Sequence, residues 1–297
     1  MVPYVTVETN YDTLSQYDWV IVPMWGGYYK WILDVKAKRP DIKLIGVTDI
    51  EMQAIQYAPR RELISLVKVA RAVDILLCSN PDFMPALLKI RPDVHNLYGW
   101  CLFPQKHELR RIEPLLKDKT LVSIGCSNCG YNRNIFENFI VFKELLKTHP
   151  NLTGYYWNIL PEHSSDILEF ADNIGIRDNL RLMPEAAGWD SFLTQFSNMY
   201  ISIHLYTFKV VSRLAQDAMG LGIPHVGCYS NYADRKFCDA SVQEWDIDGA
   251  VKNAIRLLDD TEYYEQIRQK QFTGIETYSE KAIGERIMNA IKSYKAS

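Results

Sequence analysis

The chain has 297 residues, 47% of them apolar and 23% charged, enough for two domains of ordinary size and too evenly mixed for disorder or a low-complexity scaffold. Lys plus Arg number 33 against 36 Asp plus Glu, a net charge of −3, and the split is 11 to 11 up to residue 104 and 22 to 25 after it. Neither part is a polycation, so a DNA or RNA partner would have to be held by a local patch.

In chain order, Val5 to Glu8, Trp19 to Met24, Ile42 to Val47, Ile75 to Cys78 and Val94 to Tyr98 read as strands, with helices over Tyr28 to Lys38 and Arg61 to Ala72 between them. From Gly99 to Asp118 the pattern stops at Pro104, Pro114 and a charged run. A second series follows: strand Thr120 to Gly125, helix Asn134 to Thr148, strand Gly154 to Trp157, helix Ser164 to Asn173 and strand Asn179 to Met183. It continues with helix Ser191 to Ser197, strand Tyr200 to Ile203, helix Val211 to Gly220, strand Pro224 to Gly227, then helices Ile247 to Leu258, Thr261 to Phe272 and Lys281 to Lys295. Alternating strands and helices imply parallel sheets covered on both faces. The expected organisation is a first Rossmann-like domain at 1–104, a linker at 105–119 and a second Rossmann-like domain at 120–280. The last helix, 281–297, is free to pack back on the first domain. Two such domains in succession suggest a cleft between the carboxyl ends of their sheets, where ligands of open α/β sheets bind.

Two helix starts carry cations. Lys209 lies just before the helix whose apolar stripe is Val211, Leu214, Ala215, Ala218 and Met219, with Ser212, Arg213 and Asp217 at its start and on its polar side. Arg133 immediately precedes the helix from Asn134. A helix amino end is already electropositive, so a cation there is favourable once an anion joins it, and the pair could grip a diphosphate. Solvated loop cations are the other reading of both residues.

The run Asp217-Ala-Met-Gly-Leu-Gly-Ile-Pro-His-Val resembles the donor-binding segment of retaining GT-B glycosyltransferases of the glycogen-synthase-like, family 4 type. Val122-Ser-Ile-Gly125 followed by Arg133-Asn134, Leu145 to Leu152, and Asn179-Leu-Arg-Leu-Met-Pro followed by Phe192 to Tyr200 are similar to that family as well. The first domain resembles it in Ile42 to Asp49, Ala72 to Ser79 and Leu97-Tyr-Gly-Trp, and is short for such a domain. The resemblance implies a GT-B fold with a reduced N-terminal domain, and transfer of a sugar from a nucleotide diphosphate donor, a UDP- or GDP-sugar, with retention and without a metal. It places Arg133 at the diphosphate, Asp217 at the ribose, and Met183 in the base-contacting strand. Lys209 stands where the family has a glutamate toward the donor sugar, and an ammonium only donates. Either it moves to the phosphates, or the sugar is read differently, or transfer is lost. Cys126 likewise occupies the usual arginine position.

Further donor candidates are His204, which ends a strand, and Gly26 and Gly27, which let a backbone approach a ligand. Asp49 is the candidate catalytic contact to the acceptor, with a helix N-cap as its other reading. The acceptor is left open among glycan, lipid carrier, protein and modified nucleic-acid base. A non-catalytic nucleotide- or glycan-binding protein and a GT-B-fold epimerase or hydrolase are the alternatives. Cys126-x-x-Cys129 lacks a second half-site for zinc, and Cys78, Cys101, Cys228 and Cys238 complete a set too sparse for a disulfide scaffold. No apolar run is long enough to span a membrane and the start lacks a basic n-region, so a cytoplasmic location is expected. The stripe Tyr28, Trp31, Ile32 and Val35, followed by Lys36, Lys38 and Arg39, reads as a helix packed on its sheet, with a peripheral membrane face as the other option.

Overall fold

The computed structural model describes residues 11–48, 55, 58–99, 103–127, 134–158, 163–183 and 188–296. The chain divides into two compact units, one of residues 1–100 and 281–297 and the other of residues 101–280. Val5 to Glu8, Asp49, Arg133 and Cys129 lie outside the described residues.

Unit 1 contains α1 (Tyr11–Leu14), β1 (Val20–Met24), α2 (Tyr29–Lys38), β2 (Leu44–Thr48), α3 (Arg60–Ala72), β3 (Ile75–Cys78), α4 (Met84–Ile90) and β4 (His95–Asn96). The four strands are parallel in the order β1-β2-β3-β4. β2 and β3 are buried along their whole length, as central parallel strands must be, whereas the edge strand β1 leaves Ile21 exposed and accommodates Pro23. Ile32 and Val35 of α2 pack with Leu44, Leu66, Val69 and Leu76, so this stripe is core and not a membrane face. Lys36 turns inward to Asp74 at 2.9 Å.

Unit 2 contains α5 (Pro104–Glu108), β5 (Leu121–Ser127), α6 (Ile135–Leu146), β6 (Thr153–Asn158), α7 (Ser164–Ile174), β7 (Leu180–Met183) and α8 (Trp189–Phe196). It continues with β8 (Ile201–Ile203), α9 (Arg213–Leu221), β9 (His225–Val226), α10 (Tyr232–Phe237), α11 (Ile247–Asp259) and α12 (Thr261–Ile275). All five strands are parallel, in the order β7-β6-β5-β8-β9. Alternation along the strands sends Val122, Ile124 and Tyr156 into one core with Phe139 and Phe142 of α6 and Ala250 and Ala254 of α11. Trp157 goes to the opposite core with Phe196 of α8 and Leu214 and Ala218 of α9. Each unit is a Rossmann-like α/β layer structure.

The final helix, α13 (Glu280–Ala296), returns to unit 1. Its Tyr294 hydroxyl donates to Asp74 at 3.1 Å and accepts from Lys43 at 3.2 Å, and Trp19 meets the Tyr294 ring edge-on at 5.3 Å. Burial raises the Asp74 carboxyl, but the Leu44 N–H and the Lys36 and Lys43 ammonium groups outweigh it, so its pKa falls below the usual carboxylate value.

The stretch expected as a linker, 105–119, is built into unit 2. His107 is fully buried, and the Lys117 ammonium, also buried, donates to the Met199 carbonyl at 3.1 Å. Arg111 donates to the Gly220 carbonyl at 2.7 Å and lies 4.4 Å from the Phe272 ring centroid. The prolines and charges that suggest a linker are those of a short helix and its flank, whose cations are capped by carbonyls and aromatic faces.

Candidate functional site

Successive strands β5, β6 and β7 run outward in one direction, and β8 and β9 are added on the other side of β5. The order therefore reverses between β5 and β8, the position where an open parallel sheet leaves a crevice at its carboxyl edge. Two helices begin at that edge, α6 after β5 and α9 after β8.

The amino end of α6 is built by Asn134, which is left-handed at φ 50 and accepts from the Glu137 N–H at 3.4 Å. The Glu137 carboxylate takes the Asn134 amide in return, a reciprocal cap. Burial pushes the Glu137 carboxyl up, and the Asn134 amide and the Trp245 backbone oppose it. The two polar groups of Leu205, in the loop after β8, are held by α6: its N–H donates to Asn138 at 2.8 Å and its carbonyl accepts from Asn134 at 2.9 Å. Gly125 makes this approach possible. Its φ is +111, and a Cβ there would stand 3.2 Å from the Asn138 amide and 3.5 Å from the His204 ring.

The amino end of α9 is capped by Ser212, whose hydroxyl accepts from the Ala215 N–H at 3.3 Å. This cap sets the helix start at Arg213, two residues later than the apolar periodicity suggests. Lys209 is exposed in the preceding loop and Arg213 is half-exposed on the first turn, so the expected cation and helix start come together here. His204 is buried at the end of β8 and stacks on Tyr206 at 5.5 Å. Met183 packs with Trp157 and Phe192 in the core beside α8 and α9. Gly26 and Gly27 belong to unit 1.

Asp217 differs from its expected setting. It is 2% exposed, and its carboxylate accepts from Trp189 Nε1 at 3.3 and 3.4 Å and from Arg213 Nε at 3.4 Å. His107 Nε2 lies 3.0 Å from the same carboxylate, while His107 Nδ1 faces the Phe103 carbonyl at 3.2 Å. Both ring nitrogens thus face oxygen atoms, which fixes the orientation of the ring between α5 and α9. Above this pair, Arg213 lies 4.9 Å and Lys106 5.4 Å from the Trp189 ring centroid. His107 and Trp189 were not legible as partners of Asp217, because they come from α5 and α8, far away in sequence.

A second buried polar chain also escapes the sequence reading. Ser202 and His225 Nδ1 are 3.0 Å apart, and His225 Nε2 lies 3.3 Å from Asp234 Oδ1, linking β8 and β9 to α10. Cys78, Cys228 and Cys238 are buried free thiols. Among the described residues no cluster of three His, Cys, Asp or Glu side chains forms a metal site, and no helix is long and apolar enough to cross a membrane.

No family model matches the chain, and no curated protein matches it in sequence. Solved structures do match in shape. S. aureus TarM, as a point mutant in complex with fondaparinux, α-GlcNAc-glycerol and UDP, aligns over 91% of this chain and 55% of its own with 12% identity and a TM-score of 0.72. HepE from Anabaena in complex with UDP-glucose aligns over 95% of this chain and 80% of its own, with 11% identity and a TM-score of 0.74. The pneumococcal O-GlcNAc transferase GtfA, in complex with UDP and GlcNAc, aligns over 89% and 55%, with 14% identity and a TM-score of 0.68. The fold is GT-B. This chain spans about half the length of the TarM and GtfA chains it matches. Within the GT-B framework unit 2 is the C-terminal Rossmann-like domain, and its switch point between β5 and β8 is the candidate site.

Proposed function

We propose that the chain is a glycosyltransferase that moves a sugar from a nucleotide diphosphate donor, held on unit 2, to an acceptor. The observation that carries this reading is the meeting of two helix amino ends at the β5/β8 switch point, with Lys209, Ser212 and Arg213 at one of them. As the anomeric C–O bond breaks, negative charge grows on the leaving phosphate oxygens. Preorganised N–H groups at helix starts and nearby ammonium and guanidinium groups stabilise that charge, with no metal required by the scheme. Arg133, just ahead of the α6 cap, is proposed as a further phosphate ligand. Retention of configuration follows from the sequence resemblance and is part of the proposal. A UDP-sugar is the favoured donor, since TarM, GtfA and HepE carry UDP or UDP-glucose in their solved complexes.

Asp217 enters as a support. Its buried carboxylate fixes α9 to α5 and α8, and so orients the amino end that meets the diphosphate. Lys209 in place of a sugar-binding glutamate favours the second reading, a nucleotide-binding protein without turnover. Incubation with UDP-glucose, UDP-GlcNAc and GDP-mannose separates the two. Release of nucleoside diphosphate, alone or with added acceptors, supports the transferase; tight binding with no release over many hours supports the second.

A further inference from the structure

The stretch 103–119 of unit 2 sorts its side chains against the ordinary rule. His107 and Lys117 are buried, while Leu115 is 93%, Leu109 85% and Leu116 79% exposed, more than any other large hydrophobic side chain among the described residues. One exposed leucine is ordinary, but three within eight positions mark a surface that gains from being covered. Local geometry holds two of them out. The Leu116 N–H donates to the Glu113 carbonyl at 2.9 Å and the Lys117 N–H to the Pro114 carbonyl at 3.2 Å, closing a tight turn whose next side chain, Lys117, is tied inward to the Met199 carbonyl. Leu115 and Leu116 are left on the outside of that turn.

The charges around the leucines select the occupant. Glu108 and Glu113 are exposed, and the cations of their own chain stand off, Arg111 at 3.5 Å from Glu108 and Arg268 at 3.9 Å from Glu113. Laid antiparallel on a second copy about the bond between Leu109 and Arg110, the stretch brings Lys106 opposite Glu113 and Glu108 opposite Arg111. In the same register Leu115 and Leu116 fall opposite Pro104 and the exposed Phe103. Apolar groups meet apolar groups there, and these four charges each meet their opposite. A two-fold interface demands such self-complementarity. An anionic bilayer would instead face both carboxylates, so it suits the surface less well.

We propose that residues 103–119 form the centre of a symmetric dimer interface whose partner is a second copy of this chain. The inference does not depend on the sugar-transfer reading. Arg111 bonds the Gly220 carbonyl near the end of α9, and Lys117 reaches Met199 just ahead of β8, so the surface borders the amino edge of the unit 2 sheet. The candidate donor site lies at the opposite, carboxyl edge.

Sedimentation velocity on the full chain between about 1 and 100 μM tests this. The wild type should sediment as a dimer at the upper end, and Leu115→Ser combined with Leu116→Ser should weaken association about a hundredfold while leaving the circular dichroism melt unchanged. Glu113→Lys should weaken it about tenfold, and adding Lys106→Glu should restore most of that loss. A wild type that stays monomeric throughout overturns the proposal, as does unchanged association in the leucine variant. A monomer that sediments with phosphatidylglycerol vesicles through the same leucines also overturns it, in favour of a membrane contact. Titration with UDP reads the donor proposal separately: no UDP binding by a leucine-dependent dimer removes the transferase and leaves the interface.

Discussion

Replacing His107 by Ala separates a structural role of Asp217 from a ligand-binding one. The ring is fully buried, its Nε2 lies 3.0 Å from Asp217, and Trp189 meets it edge-on at 5.3 Å. It also packs against Gly220, where a Cβ would collide with it. Without the ring, Asp217 keeps only the longer contacts from Trp189 at 3.3 and 3.4 Å and from Arg213 at 3.4 Å. Depriving a buried carboxylate of its nearest partner costs about 1–3 kcal/mol, to which the cavity left by the ring adds. For a unit the size of residues 101–280, about 4 kcal/mol corresponds to a drop in Tm of roughly 8–16 °C. Scanning calorimetry reads it, and the double variant His107→Ala with Asp217→Ala should cost about 2 kcal/mol less than the sum of the singles. If His107→Ala melts within about 2 °C of the wild type while Asp217→Asn loses UDP affinity without loss of stability, Asp217 faces the nucleotide and the reasoning fails.

Burial lowers the Lys117 ammonium to about 7, with Arg268 adding and Glu113 opposing. The folded value lies below the unfolded one of about 10.4, so the cost of the buried charge is full below pH 7 and fades as pH rises toward 10. Lys117→Met should therefore stabilise relative to wild type more at pH 6 than at pH 10, by up to about 5 kcal/mol from a shift of that size; equal differences at both pH values in urea titrations would refute it. Asp74 has the opposite sign, because its folded pKa is lowered. Its contribution is present above about pH 4 and is lost as pH falls through the folded value, so Asp74→Asn should destabilise at pH 7 by about 2–4 kcal/mol and flatten the acid limb of the stability curve. Gly125→Val puts a branched side chain at φ +111 against Asn138 and His204; it should lower Tm by several degrees and weaken UDP binding at least tenfold, both read by calorimetry.

The long periodic elements were legible because burial imposes their pattern. β2 and β3 are buried throughout since helices cover both faces, and α9 shows its stripe at Leu214, Ala215 and Ala218 because these residues are buried. The short helices α4, α5 and α10 were not, having too few turns to display a period. Charge misled in the stretch 105–119, where Arg111 and Lys117 serve interior carbonyls. The cation at the start of α9 could be read locally, because capping and the helix dipole are local properties. What Asp217 touches could not, since His107 lies 110 residues away and no periodicity links them.

The peptide group of Leu205 is pinned on its N–H by one asparagine of α6 and on its C=O by another, one turn earlier at the cap of the same helix. In the proposed donor site, this loop is thereby set before any ligand arrives. Little chain entropy is then spent in ordering this loop on association, and the Leu205 amide should exchange with solvent at the same slow rate in the empty and the nucleotide-loaded protein.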